Sequence, residues 1–219
     1  MRGLLKNNFY SALESLKLFS GFLLLFAAAL VLIGNAALLF GFAAAAAPGF
    51  ALLSLAGLRK EAGSKWGRHK LAFSVRRSEI VDSFYATHAA FCLLGVLVTA
   101  LATALTVFLH GNHYFDLGLR DALTLITGGG VIAVFAGAVF CPLFYRFGAE
   151  KTEALIVISF AGAVGFGMLL AWVINLMNGF QRIDDLRYYM SLLLVWTVTA
   201  AMFFLSSQLA NAVFKRAEY

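Results

Sequence analysis

His110 and His113 stand three residues apart with Asp116 just beyond. On a helix that spacing would bring both imidazoles to one side as a metal pair. The surrounding segment, HGNHYFDLGLRD (110–121), reads more simply as a polar loop at a membrane surface, and no metal is assigned. His69 and His88 have no partner at ligand spacing and read as surface or interfacial residues. Asp184-Asp185 is an isolated pair, without the acidic cluster that a metal-dependent lipid-head transferase needs. Gly128-Gly129-Gly130 lacks the following lysine of a phosphate loop, and no GxxxxGK[ST], HExxH or GxSxG occurs. The glycine triplet is a packing or hinge feature. Ala133/Gly137, Ala161/Gly165 and Ala163/Gly167 are small-residue pairs four apart, which let helix backbones approach closely in lipid. Cys92 and Cys141 fall in apolar runs and read as small packing residues. Nothing here converges as an acid, base or metal centre, so catalysis by this chain is not expected.

The elements that carry these residues are long apolar runs. The chain has 219 residues, 62% of them hydrophobic and only 13% charged, with a mean hydropathy of +0.86. A soluble domain is nearer half apolar and about a quarter charged. A spanning helix takes about 20 apolar residues, so the length allows six spans and no extramembrane domain. The expected class is all-α, a single transmembrane domain over residues 1–219. Residues 1–17 place Leu5, Phe9, Leu13 and Leu16 on one helical face and read as an amphipathic interfacial helix. From Leu18 to Leu58 there is no charge; a single helix of that length would run about 60 Å, twice the hydrocarbon thickness. It must fold as two spans, about 18–37 and 39–58, with a turn near Gly34-Asn35 or Gly41. Pro48 should kink the second. Spans three to six follow at about 84–109, 122–145, 154–174 and 188–214.

The charges orient the spans. Of the 17 Lys and Arg, 14 lie in the N-terminal segment, residues 59–83, the 146–153 turn and the tail. Arg120, Arg182 and Arg187 lie on the other face. Lysine and arginine accumulate on the cytoplasmic side, so both termini are expected in the cytoplasm. The net charge of +6 is thereby explained by topology and does not indicate nucleic acid. No Asp, Glu, Lys or Arg remains inside an expected span, which disfavours a proton-coupled carrier with a buried acid.

Residues 59–83, RKEAGSKWGRHKLAFSVRRSEIVDS, form a polar island holding seven cations. Topology explains the cations. It does not explain Trp66, Leu71, Phe73 and Val75, apolar side chains that a plain loop would not need; they suit the headgroup level or a groove on a partner. The segment KWGRHKLAFSVRRSEIVDSFY resembles a signature of small permease subunits of type-2 ATP-binding-cassette (ABC) exporters, with Lys65, Trp66, Leu71, Val75, Arg77, Glu79, Ile80 and Val81 in matching places. Ser74 stands where that family often has proline. A second segment, CPLFYRFGAEKTE, is similar to the family's motif at the end of the fourth span, through Pro142, Leu143, Tyr145, Arg146, Phe147, Gly148, Glu150 and Lys151.

The resemblance implies a bacterial plasma-membrane exporter permease. It implies a dimeric pathway built with a second permease copy or paralogue, a homodimer by expectation. It implies a separate ABC ATPase that binds the ATP and Mg, with no cofactor in this chain. Residues within 59–83 would form a coupling helix seated in that ATPase, and Arg146, Phe147, Gly148, Glu150 and Lys151 a second contact. Peptides, amphipathic toxins or hydrophobic drugs are the expected cargo. The alternative is a membrane scaffold or immunity protein that binds a partner without ATP.

Overall fold

The computed structural model describes residues 2–62, 76–111, 114–179 and 184–216. Among them are six long helices: α1 (Arg2–Ile33), α2 (Ala36–Ala62), α3 (Arg77–His110), α4 (Leu119–Phe147), α5 (Thr152–Met177) and α6 (Asp185–Arg216). A single 3₁₀ turn, Ala149–Lys151, joins α4 to α5, and no strand occurs among the described residues. Helices α2 to α6 are each long and apolar enough to cross a bilayer. The apolar part of α1, Phe19–Ile33, is shorter.

The expected interfacial helix and first span are one continuous helix. Leu4, Asn8 and Ala12 turn toward the bundle, whereas Phe9 and Tyr10 stay exposed. The Asn8 side-chain amide donates to Ser83 Oγ of α3 at 3.2 Å. The chain reverses at Gly34-Asn35, the first of the two places considered. Gly34 sits at φ +62°, a left-handed conformation that glycine adopts without a Cβ penalty. Asn35 then caps α2, its Oδ1 accepting from the Ala37 amide at 2.8 Å. His110 Nε2 meets the Val31 carbonyl at 2.6 Å, and the Tyr114 hydroxyl donates to the Gly34 carbonyl at 2.9 Å. His110 is therefore engaged in latching this turn; His113, its expected metal partner, lies outside the described residues. No group of three or more possible metal ligands occurs among the described residues.

Helix α2 runs on through Pro48 and is gripped from two sides by glycine. A Cβ at Gly95 of α3 would meet the Ala47 Cα at 2.8 Å, and one at Gly129 of α4 would meet the Ala43 carbonyl at 2.7 Å. The alanine run of α2 thus lies almost backbone to backbone against two neighbours, the close approach that small residues permit in lipid. Gly130 makes room for Trp196 of α6 and Val96 of α3. Gly129 and Gly130 together make a joint with α2, α3 and α6, while nothing lies within 4 Å of a Cβ on Gly128.

Candidate coupling surface

The helix termini converge at one end of the bundle. Leu4 of α1, Leu55 and Leu58 of α2, Ile80, Val81, Phe84 and Tyr85 of α3, Phe140, Phe144 and Tyr145 of α4, Leu155 of α5 and Phe214 of α6 share one buried cluster there. Polar clasps ring it. Arg59 pairs with Glu153 at 2.9 Å, Arg77 reaches the Lys215 carbonyl at 3.3 Å, and the Asn211 amide donates to Asp82 at 2.9 Å. Each clasp ties helices distant in sequence, so the ends that flank 63–75 are tied to the α4–α5 corner and to α6.

Of the expected coupling residues, Lys65, Trp66, Leu71, Phe73 and Val75 lie outside the described residues. Arg77 is exposed and Glu79 half-buried at the start of α3. Ile80 and Val81 are buried in the terminal cluster. Their position anchors α3 beneath the surface, because the amphipathic face that follows Glu79 turns into the bundle.

The second segment lies at the α4–α5 corner. Gly148 ends α4 at φ +81°, and its amide bonds the Phe144 carbonyl. The 3₁₀ turn follows, and Thr152 Oγ1 donates to the Ala149 carbonyl. This reversal leaves Phe147 46% exposed, with the Arg146 guanidinium and the Lys151 ammonium each 5.5 Å from its ring centre. Glu150 is exposed beside them. The corner is a small aromatic knob flanked by two cations, a combination suited to an apolar pocket with an acidic rim.

The bundle above this surface holds a buried polar joint built on His88, a residue that the sequence alone reads as surface or interfacial. His88 is fully buried, because the face of α3 carrying Val81, Phe84, His88, Phe91, Gly95 and Thr99 packs inward. Its Nε2 lies 3.2 Å from the Ala133 carbonyl of α4, its Nδ1 2.5 Å from Ser54 Oγ of α2. The Ala133 carbonyl can only accept, so Nε2 carries the proton; the Ser54 hydroxyl also lies 2.8 Å from the Ala51 carbonyl and shares its single proton between that carbonyl and Nδ1. Phe84 and Phe203 stack on the ring from α3 and α6. Gly137 admits it, since a Cβ there would overlap the imidazole. The Ala133/Gly137 pair therefore packs a side chain as well as a backbone. Its signal in the sequence was the three- and four-residue recurrence of that α3 face, which includes position 88.

The other small-residue pairs behave differently. Ala163 is buried against the bundle, while Ala161 and Gly165 face outward and Gly167 is half-buried, a Cβ there lying 4.0 Å from Ile132. Cys92 and Cys141 are buried and free, as packing residues. At the opposite end, Arg120 pairs with Asp185 at 2.9 Å and lies 4.6 Å over the Tyr188 ring, fastening α4 to α6.

A family model described as ABC-2 family transporter protein matches residues 3–215. No curated protein matches the chain, and no solved structure does.

Proposed function

The chain belongs to the ABC-2 transporter family as a multi-pass membrane permease, and on that premise we propose that it exports its cargo as half of a dimer. Permeases of this family work with a separate ABC ATPase subunit. In our reading that ATPase takes up the ATP and Mg, while this chain contributes neither a nucleotide site nor a cofactor. It docks on the basic end of the bundle, which we place in the cytoplasm together with both termini on the strength of the charge asymmetry. The protein resides in a bacterial plasma membrane.

The observation that carries this reading is the Phe147 knob, flanked by Arg146 and Lys151 and tied to the α2 end through the Arg59–Glu153 pair. A partner that grips the corner and the 63–75 segment together would move α2, α3, α4 and α5 as one lever. ATP shifts the permease between two arrangements only if the ATPase binds them differently. The exposed apolar face of α5 around Ala161 and Gly165 supports a contact with a second permease subunit, by the same close approach that small residues allow elsewhere in the bundle. Peptides, amphipathic toxins and hydrophobic drugs are the cargo classes we assign.

Purification of the tagged chain from its native membrane in mild detergent tests the reading. An ATPase subunit should be recovered in equal amount and hydrolyse ATP. A folded permease recovered repeatedly without any ATPase would instead favour a scaffold that works without ATP.

A further inference from the structure

Between the outer half of α3 and the first turns of α4 lies a cleft of about 610 Å³. Ala104 and Phe108 of α3 face Ala122 and Ile126 of α4 across it, and Phe115 lies against one end. Ala100 and Ala104 of α3 and Ala122 of α4 leave room between the larger side chains that line it. The volume falls within the range of small-molecule sites, roughly 300–1,000 Å³.

Among the described residues, one polar side chain lines this space. Thr103 is 3% exposed, and its Oγ1 has no hydrogen-bond partner among the described residues. Its neighbours on the same helix behave differently: Thr99 donates to the Gly95 carbonyl at 2.9 Å and Thr106 to the Ala102 carbonyl at 2.8 Å. A helical threonine ordinarily satisfies itself in that way. A buried hydroxyl left unpaired is unfavourable, and the penalty is relieved by any acceptor placed opposite it.

We propose that this cleft binds a lipophilic molecule carrying one hydrogen-bond acceptor, such as a carbonyl, which pairs with Thr103 while its apolar body fills the space between α3 and α4. A bilayer acyl chain would fill the same volume but leave the hydroxyl unpaired, which is why the occupant is taken to be polar at this one point. As a cargo site the cleft rests on the export reading, and it narrows the cargo to hydrophobic molecules with an embedded acceptor. Binding itself requires neither ATP nor the ATPase.

The full-length chain in phosphatidylcholine nanodiscs, photolabelled with benzophenone and mapped by peptide mass spectrometry, provides the test. Label should fall on 100–108 and 115–126. Fluorenone and fluorene share one ring skeleton and differ by a carbonyl; fluorenone should displace the label at roughly tenfold lower concentration. Thr103→Val should erase that difference, and Thr103→Ser, which keeps the hydroxyl, should retain it. Label mapping elsewhere, equal displacement by the two competitors in the unaltered chain, or a difference that survives in Thr103→Val would each overturn the proposal. Carbonyl-selective binding in a chain that never recovers an ATPase would leave the site standing and remove the export reading instead.

Discussion

The Ser206 hydroxyl donates to the Ala138 carbonyl, the acceptor that Pro142 leaves without a helical partner. Proline has no amide hydrogen, so the residue four positions earlier keeps an orphan carbonyl. In a bilayer no water replaces the missing donor, and a neighbouring helix must supply it. Helix α6 does so through Ser206. Because the serine proton is committed to Ala138, the Tyr85 hydroxyl is the donor in its 2.7 Å bond to Ser206 Oγ. One proline thus accounts for a chain of hydroxyls that joins α3, α4 and α6 just above the candidate coupling surface.

Ser206→Ala should therefore lower stability by about 1–2 kcal/mol, as expected for two intramembrane hydrogen bonds. Pro142→Ala restores a helical donor to Ala138, so the serine matters less in that background. Reversible unfolding in mixed micelles measures both. Equal losses in the two backgrounds would show that Ser206 acts through something other than the proline gap.

Gly137 and His88 form the second joint. Gly137→Ala drives a methyl into the imidazole and should destabilise by about 1–3 kcal/mol, the usual effect of overpacking. His88→Ala removes both the ring and the Ser54 and Ala133 contacts. The double variant should be clearly more stable than the sum of the singles predicts, because the methyl then enters vacated space. Strict additivity in the same unfolding assay would mean that the two residues do not meet.

A third test lies at the opposite end. Gly34 combines φ +62° with crowding: a Cβ there would stand 2.8 Å from both His110 Nδ1 and the Tyr114 hydroxyl. Gly34→Ala should weaken the bundle by about 1–2 kcal/mol from the backbone term, with steric conflict added. His110→Ala should relieve only the part of the steric conflict that comes from the imidazole, since the Tyr114 hydroxyl stays in place. If His110→Ala restored full stability, the left-handed turn would carry no strain.

Much of this frame was legible in the sequence. Uncharged runs located the helices, and cation clusters grouped their ends. The glycine triplet read as packing, which Gly129 and Gly130 display. Between Gly34 and Gly41 the sequence offered no choice, because the latch that selects Gly34 comes from His110 and Tyr114, about 80 residues away. The placement of His88 at an interface failed for a related reason. Hydropathy scores a histidine as wet wherever it stands, whereas Ser54, Ala133 and Gly137 satisfy and accommodate it from two other helices. Ile80 was placed by its motif position in a docking segment, and its helical face buries it in the terminal cluster. Sequence polarity divides α1 near Lys17, although its backbone is continuous there.

The coupling surface gives the last prediction. Phe147 protrudes between two cations at the α4–α5 corner. Phe147→Ala should leave folding within about 0.5 kcal/mol, as for an exposed site away from packing. If the ring enters a pocket on the ATPase, its loss should weaken recovery of the complex about tenfold or more, the behaviour of an aromatic anchor. Lys151→Glu should weaken it too, and high salt should lessen the contrast between Lys151→Glu and the unaltered chain, since the charge acts through screened attraction. Trp66→Ala and Glu79→Ala should reduce coupling in the same direction while the protein still inserts. The assay is co-purification with the ATPase, paired with ATP hydrolysis by the recovered complex. Full recovery and unchanged hydrolysis in Phe147→Ala and Lys151→Glu would move the docking site away from this corner, and the same result in Trp66→Ala and Glu79→Ala would remove the coupling role of the 59–83 segment as well.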